Sequence, residues 1–154
     1  MRDSIRIIRA CADDYEQIYA LQLRAFSTED ALYDYTIPPL LQSMEEAVED
    51  CRKNLVWKAV TQEGVIVGSV RVAEIDGVCL IMKLMVEPDY RRRGIGAALI
   101  RTAEREFSPE RYALYTGSRS KDNIALYERL GYRIVGTDAE KELVHMVKEA
   151  RQRG

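Results

Sequence analysis

Val78-Cys79-Leu80-Ile81-Met82-Lys83-Leu84-Met85-Val86, then Glu87-Pro88-Asp89-Tyr90, then Arg91-Arg92-Arg93-Gly94-Ile95-Gly96, is the stretch on which the reading of this chain turns. Apart from Lys83 its first nine residues are apolar on both faces of an extended strand, the pattern of a strand held between two layers. Pro88 ends the strand. From Gly94 onward Ile95, Ala98, Leu99, Ala103 and Phe107 recur at helical spacing up to Ser108-Pro109. A buried strand thus passes through a glycine-containing turn into an amphipathic helix. Gly94 and Gly96 let backbone N–H groups approach a ligand closely, and the first helical turn adds the positive end of its dipole, so the turn suits a phosphate. Desolvated arginine contacts would add roughly 1.5–3 kcal/mol each. The same residues also read as a plain tight turn with a solvated arginine loop. No Lys-Ser or Lys-Thr follows the glycines and the third glycine of the dinucleotide fingerprint is absent, which takes most of the weight from nucleotide hydrolysis and hydride transfer.

Outward from this stretch the pattern alternates. Residues 5–9 read as an opening strand, and Asp13 or Asp14 offers a cap to a helix carrying Ile18, Leu21, Leu23 and Phe26. Residues 27–41, ending near Pro38-Pro39, read as a loop. Ser43, with Glu46 three residues on, forms a capping box for a helix through Cys51. Strands over 55–61, 65–74 and 78–86, joined at Glu63-Gly64 and Asp76-Gly77, predict an antiparallel meander. After the helix from Gly94, a strand over 112–116 predicts a right-handed parallel crossover. A second such unit is expected from a short helix with Ile124, Leu126, Tyr127 and Leu130, closed by Gly131, and strands over 132–135 and 143–147.

The chain has 154 residues, 47% hydrophobic and 31% charged, the size and composition of one folded domain spanning 1–154. No apolar run approaches the roughly eighteen residues of a membrane span, and the start carries no signal-peptide core, so no membrane partner is expected. Cys11, Cys51 and Cys79 are odd in number and far apart, which predicts reduced thiols and a cytoplasmic location. The lone His145 sits in a strand-like stretch, which disfavours histidine-based triads and histidine-rich metal sites, and no metal is expected. Residues 1–50 hold eleven acids against four arginines, a local balance of −7. Nucleic acid is an unsuitable partner for that half, whereas an acidic rim would attract cationic amines.

One strand beyond the arginine loop lies Asn123-Ile124-Ala125-Leu126-Tyr127-Glu128-Arg129-Leu130-Gly131-Tyr132. Together the two motifs resemble the GNAT superfamily of N-acetyltransferases. Arg91, Gly94 and Gly96 match its signature of Arg or Gln, two residues, Gly, one residue, then Gly or Ala. The approach Leu84-Met85-Val86-Glu87-Pro88 and the later helix from Asn123 through Tyr127 to Gly131 match as well. The resemblance spans nearly the whole chain, is strongest from Leu80 to Val135, and weakens before Leu55. It implies an α+β, three-layer fold with a mixed, predominantly antiparallel sheet of about seven strands and helices on both faces. It also implies acetyl-coenzyme A as cofactor. Arg91, Arg92, Arg93, Gly94, Ile95, Gly96 and Ala97 would hold the pyrophosphate, the backbone of residues 92–97 foremost. The central strand would bulge and splay, so that Leu84, Met85 and Val86 pair with the pantetheine arm. Asn123 would touch that arm, and Tyr127 would donate to the departing thiolate.

A phenol of ordinary pKa about 10 stays protonated at neutral pH and can donate to a thiolate, although it is a weak acid. The amine nucleophile is itself protonated at neutral pH, and removing its proton costs about 4.6 kcal/mol for a pKa near 10.4. Glu74 and Glu87 are the residues proposed for that base, directly or through water. The family has no universal base, so the resemblance does not decide. Direct attack within a ternary complex needs no cysteine. Family substrate selection lies in the first third, here Glu29, Asp30, Tyr33, Asp34 and Tyr35, whose acids and aromatics suit a cationic small-molecule or peptide amine. The same residues also read as an ordinary anchored loop. A non-catalytic acyl-coenzyme A sensor of the same fold remains the alternative, and a homodimer is compatible with such a chain.

Overall fold

In the computed structural model, which describes residues 4–150, helices lie on both sides of one sheet. Strand β1 (Arg6–Arg9) leads through a single 3-10 turn into α1 (Tyr15–Asp30), followed by α2 (Pro38–Leu41) and α3 (Met44–Lys53). The meander comprises β2 (Leu55–Val60), β3 (Ile66–Ile75) and β4 (Val78–Val86). Next come α4 (Ile95–Glu106), β5 (Arg111–Gly117), α5 (Lys121–Arg129), β6 (Arg133–Asp138) and β7 (Leu143–Glu149). The seven strands run in the order β1-β2-β3-β4-β5-β7-β6, with β4 and β5 the parallel pair and every other neighbour antiparallel. This is the mixed α+β architecture that the resemblance implies.

The local chemistry explains most elements. Ser43 Oγ accepts from the Glu46 N–H at 3.1 Å while Glu46 Oε1 accepts from the Ser43 N–H at 2.8 Å, completing the capping box of α3. Asp76 and Gly77 both take positive φ, 50° and 80°, as a tight β3–β4 hairpin requires. Ile95, Leu99, Ile100 and Ala103 of α4 are buried against the sheet with Val70 and Val72, while Ile18, Leu21 and Ala25 of α1 pack with Cys51, Val56 and Met85.

Three expectations are corrected. Residues 27–30 and 38–41 are helical, not loop; near the end of α1, Arg91 Nη2 donates to the Ala25 carbonyl and Nη1 to Thr28 Oγ1, both at 2.7 Å. That long-range contact braces the last turns of the helix, which local sequence could not announce. Neither Asp13 nor Asp14 caps α1 through its side chain. Asp14 instead accepts from the Cys11 N–H at 2.9 Å and pairs with Lys58 at 2.8 Å. Finally, β6 does not lie beside β5 to close a second crossover, because β7 inserts between them. Val144, Met146 and Val147 of β7 are buried, whereas β6 is mostly exposed, so the more apolar strand takes the inner position.

Candidate active site

The parallel pair opens into a cleft. Val78, Cys79 and Leu80 pair with Arg111, Tyr112 and Ala113, and beyond them the ladder stops although β4 continues to Val86 and β5 to Gly117. The backbone groups of β4 that face β5 past this point have no ladder partner. On the other side, Arg71 opposes Met82 and Ser69 opposes Met85, so β4 carries one extra residue against β3. Lys83 sits in that bulge with φ of 51°, a left-handed conformation that costs about 1–2 kcal/mol for a side-chain-bearing residue. Burial pushes its ammonium down, and Asp50 at 3.9 Å works against that shift. Beyond the bulge Leu84 and Val86 pack with the α4 core and Met85 with the α1 core.

The N-terminus of α4 stands at the head of this cleft. Gly94 is the N-cap, with φ of 84°, and a Cβ added there would meet nothing within 4 Å. The first bond into the helix runs from the Ala98 N–H to the Gly94 carbonyl at 3.1 Å. The N–H groups of Ile95, Gly96 and Ala97 therefore project from the helix end without an intrahelical acceptor. A Cβ on Gly96 would lie 3.3 Å from Leu126 of α5, 3.8 Å from Leu84 and 3.9 Å from Val86, so the helix start, the bulged strand and α5 converge at this point. The open space at Gly94 and the unpaired amides fit the diphosphate of coenzyme A.

The arginines divide their tasks. The Arg91 guanidinium turns away to hold α1, as described above, and Arg93 lies 4.6 Å over the Tyr90 ring and donates to the Asp89 carbonyl at 3.1 Å. Arg92 is exposed at φ of 65°.

On α5, Tyr127 is buried at 6% exposure and meets Tyr132 edge-on at 6.1 Å between ring centroids. Burial pushes its phenol well above the usual range, and the negative charge of Glu29 pushes in the same direction. Asn123 Nδ2 donates to Glu29 Oε1 at 3.2 Å, and Ser120 Oγ donates to Glu29 Oε2 at 2.6 Å. The end of α1 is thus fastened to the start of α5, beside Tyr127.

The acidic and aromatic residues after α1 are largely engaged within the chain. Asp30 Oδ1 accepts from the Ile37 N–H at 3.0 Å, stabilising the turn. Tyr33 is buried, shares a hydrogen bond of 2.8 Å with Ser120 Oγ, and accepts from the Arg119 N–H at 3.1 Å. Its hydroxyl sits where a Cβ on Gly117 would stand. The cation cradled here is the chain's own Arg119. Its guanidinium lies 5.9 Å over Tyr33, and it pairs with Asp34 at 3.5 Å and Glu142 at 2.7 Å. Tyr35 donates to the Lys141 carbonyl at 3.1 Å. The cradle anticipated for a substrate cation is therefore a tether between α1, the β5–α5 turn and the β6–β7 turn. Only Glu29 among these five reaches the residues of α5 that the resemblance singles out.

The two carboxylates proposed as base are not brought to the cleft in that capacity. Glu74 is exposed and pairs with Cys79 beside the β3–β4 hairpin, five residues before Leu84 along β4, roughly 17 Å at about 3.3 Å per residue. Glu87 is close to the cleft, but both of its oxygens lie 3.0 Å from Arg24 Nε. Sequence reading also missed a buried polar cluster beneath α1. Arg71 is fully buried and donates to Asp50 at 2.6 Å and to Gln22 at 2.9 Å. An arginine alternating among valines in β3 was the available signal. Cys51 and Cys79 are buried, and burial pushes both thiols up, that of Cys79 to about 12; Cys11 is exposed. His145 stacks on Tyr115 at 4.5 Å within the sheet, as a strand residue. Among the described residues no helix is long and apolar enough to cross a membrane.

Known proteins share this architecture. PaiA N-acetyltransferase from Thermoplasma acidophilum, solved in complex with coenzyme A, superposes with a TM-score of 0.82 at 18% identity, covering 96% of this chain and 99% of that one. A GNAT-family acetyltransferase from Streptococcus agalactiae gives 0.81 at 12% identity, covering 96% of each chain. A spermidine N-acetyltransferase chimera containing Vibrio cholerae sequence gives 0.72 at 14% identity, covering 94% of this chain and 95% of that one. Identities this low speak to the fold alone. No curated protein sequence matches significantly. The model of the acetyltransferase (GNAT) family matches residues 15–132, well over half of the 154. The chain therefore belongs to the GNAT family of acetyltransferases, enzymes that draw their acetyl group from acetyl-coenzyme A.

Proposed function

We propose that residues 1–154 form one catalytic domain that transfers the acetyl group of acetyl-coenzyme A to a primary amine by direct attack in a ternary complex. The observation that carries this reading is the opening of the parallel β4–β5 pair after Leu80 and Ala113, with the bulge at Lys83 on one wall and the α4 N-terminus at its head. When bound, the cofactor supplies a thioester carbonyl and a thiolate leaving group.

The amides of Ile95, Gly96 and Ala97 hold the diphosphate, with the exposed Arg92 adding charge at the rim. Backbone groups of Leu84, Met85 and Val86 that lack a β5 partner pair with the amides of the pantetheine arm and donate to the carbonyl oxygen as charge develops there. Asn123 contributes its side-chain amide. Tyr127 keeps its proton across the physiological range because burial and Glu29 both oppose its ionisation, so it remains able to protonate the sulfur as the bond breaks. Direct attack is favoured over a thioester relay. Cys51 and Cys79 are buried with thiols pushed up, and the exposed Cys11 Sγ donates to Asp14 beside β1. A cytoplasmic location agrees with these three unpaired thiols.

An amine acceptor accords with the names of two structural neighbours, a spermidine N-acetyltransferase and PaiA N-acetyltransferase. The test is calorimetric titration of the purified protein with coenzyme A, followed by thiol release from acetyl-coenzyme A across a panel of primary amines. Association with coenzyme A and release with at least one amine are expected. A folded protein that binds neither coenzyme A nor acetyl-coenzyme A would overturn the assignment, and binding without turnover on any amine would favour a sensor.

A further inference from the structure

The amine must lose a proton before it attacks, and neither Glu74 nor Glu87 is placed to take it. Around the cleft the other carboxylates are also committed. Asp50 holds Arg71, Asp30 holds the Ile37 N–H, and Asp34 and Glu142 hold Arg119. Like Asp30, Glu29 is held by neutral donors, but it alone of these carboxylates is held at the start of α5. Its partners are two neutral donors, Ser120 Oγ and Asn123 Nδ2, both at the start of α5. No arginine or lysine pairs with it among the described residues. A half-buried carboxylate held only by neutral donors has no cation of the chain's own beside it.

We propose that Glu29 is the group that receives the acceptor's ammonium and removes its proton. This rests on the reading of the cleft given above and assigns to it the base that the family pattern leaves open. Glu29 belongs to α1, whose end is fixed on one side by Arg91, from the loop that leads into α4, and on the other by Ser120 and Asn123. A carboxylate in that position lies between the loop that leads into α4 and the start of α5.

The chemistry balances. Glu29 takes one proton from the ammonium, and the neutral nitrogen forms a bond to the carbonyl carbon. The carbon–sulfur bond then breaks, and Tyr127 gives its proton to the thiolate. The resulting phenolate takes the second proton from the acylated nitrogen, and Glu29 releases its own to water. The two residues assist one another electrostatically. While Glu29 is charged it opposes ionisation of Tyr127. Once it has taken the proton that opposition disappears, and the phenol becomes the better donor at the moment the thiolate departs.

The experiment uses the full chain, with the best amine from the panel and two variants, Glu29→Gln and Glu29→Ala. The glutamine amide oxygen can still accept from Ser120 or Asn123, so the variant should fold with a thermal midpoint within about 3 °C of the parent. Its affinity for acetyl-coenzyme A should stay within threefold, while kcat/KM for the amine falls by about 10²–10⁴, the usual contribution of a general base. Added formate should partly restore turnover to Glu29→Ala, which removal of a merely structural contact would not allow. Glu29→Gln with parental kcat/KM would overturn the proposal and leave the acetyltransferase reading intact. Loss of acetyl-coenzyme A binding in Glu29→Gln, or failure of formate to restore any rate, would instead assign Glu29 to fastening α1 onto α5 and would likewise overturn it. A parent protein that binds no coenzyme A would bring down the underlying reading.

Discussion

Replacing Gly117 with alanine tests whether the acceptor-side loop is keyed into the β5–α5 turn by Tyr33. Gly117 does not take positive φ, so alanine meets no backbone strain there. Its methyl group would overlap Tyr33 Oη, lie 2.7 Å from Cζ, and stand 2.9 Å from Ser120 Oγ. The serine hydroxyl can rotate aside, but the ring cannot, and Tyr33 must back out of a site where it is only 8% exposed. That sacrifices the hydrogen bonds with Ser120 Oγ and the Arg119 N–H, about 1 kcal/mol each. It also re-exposes part of an aromatic ring whose full burial contributes roughly 1.5–3 kcal/mol. The expected loss is about 3 kcal/mol, or roughly 6–12 °C in thermal midpoint for a chain of this size. Urea unfolding of a double-mutant cycle isolates the cause. Tyr33→Ala alone is destabilising because it leaves a cavity. In that background Gly117→Ala should cost no more than about 0.5 kcal/mol, giving a coupling of about 2.5 kcal/mol. An alanine that costs as much without the tyrosine as with it would refute the steric argument.

Gly94→Glu should fold, since a Cβ there meets nothing within 4 Å, at a strain cost of about 1–2 kcal/mol. It should nevertheless lose calorimetric binding of coenzyme A, because the new carboxylate repels the diphosphate; retained affinity would detach the glycine turn from the cofactor. Tyr127→Phe should lower kcat by about 10²–10⁴ with little change in acetyl-coenzyme A affinity. Because the parental phenol is pushed above its ordinary value of about 10, it stays protonated at lower pH, and its loss of rate should begin only above about pH 10. A descending limb centred below pH 9 in the parent that vanishes in the phenylalanine variant would contradict that. A chromogenic disulfide reagent should titrate one thiol of three quickly, Cys11, with Cys51 and Cys79 reacting only after denaturation.

The residues around β4 were legible because every constraint there is local. A nine-residue apolar run, a proline stop and two glycines at a helix start each state their geometry within one or two turns of chain. The capping box of α3 and the Asp76-Gly77 hairpin were legible for the same reason. What escaped depends on partners far along the chain. The last turn of α1 is braced at Thr28 by Arg91, 63 positions away, and β7 displaced β6 from the side of β5 through burial that periodicity alone does not rank. A bulge in the central strand came from the family resemblance, but its place at Lys83 did not, since a lysine among apolar residues does not of itself announce a positive φ.

The acceptor loop shows how composition can point to the right chemistry and the wrong user. Acids and tyrosines between residues 29 and 35 do form a cation-binding arrangement, yet the cation is Arg119, supplied by the turn that begins at Gly117. The exposed Arg119 guanidinium ties the segment after α1 to the β6–β7 turn through Leu32 and Glu142, while Tyr33 joins the same segment to Ser120. The same network leaves Glu29 facing neutral donors instead of a positive charge. Neutralising Arg119 would therefore do more than free Asp34: it would loosen the turn that orients Ser120 and Asn123, and with them the one carboxylate next to Tyr127. On the proposal that Glu29 receives the acceptor's ammonium, selection of a cationic acceptor would depend on how rigidly Tyr33 holds the turn that positions Glu29 through Ser120.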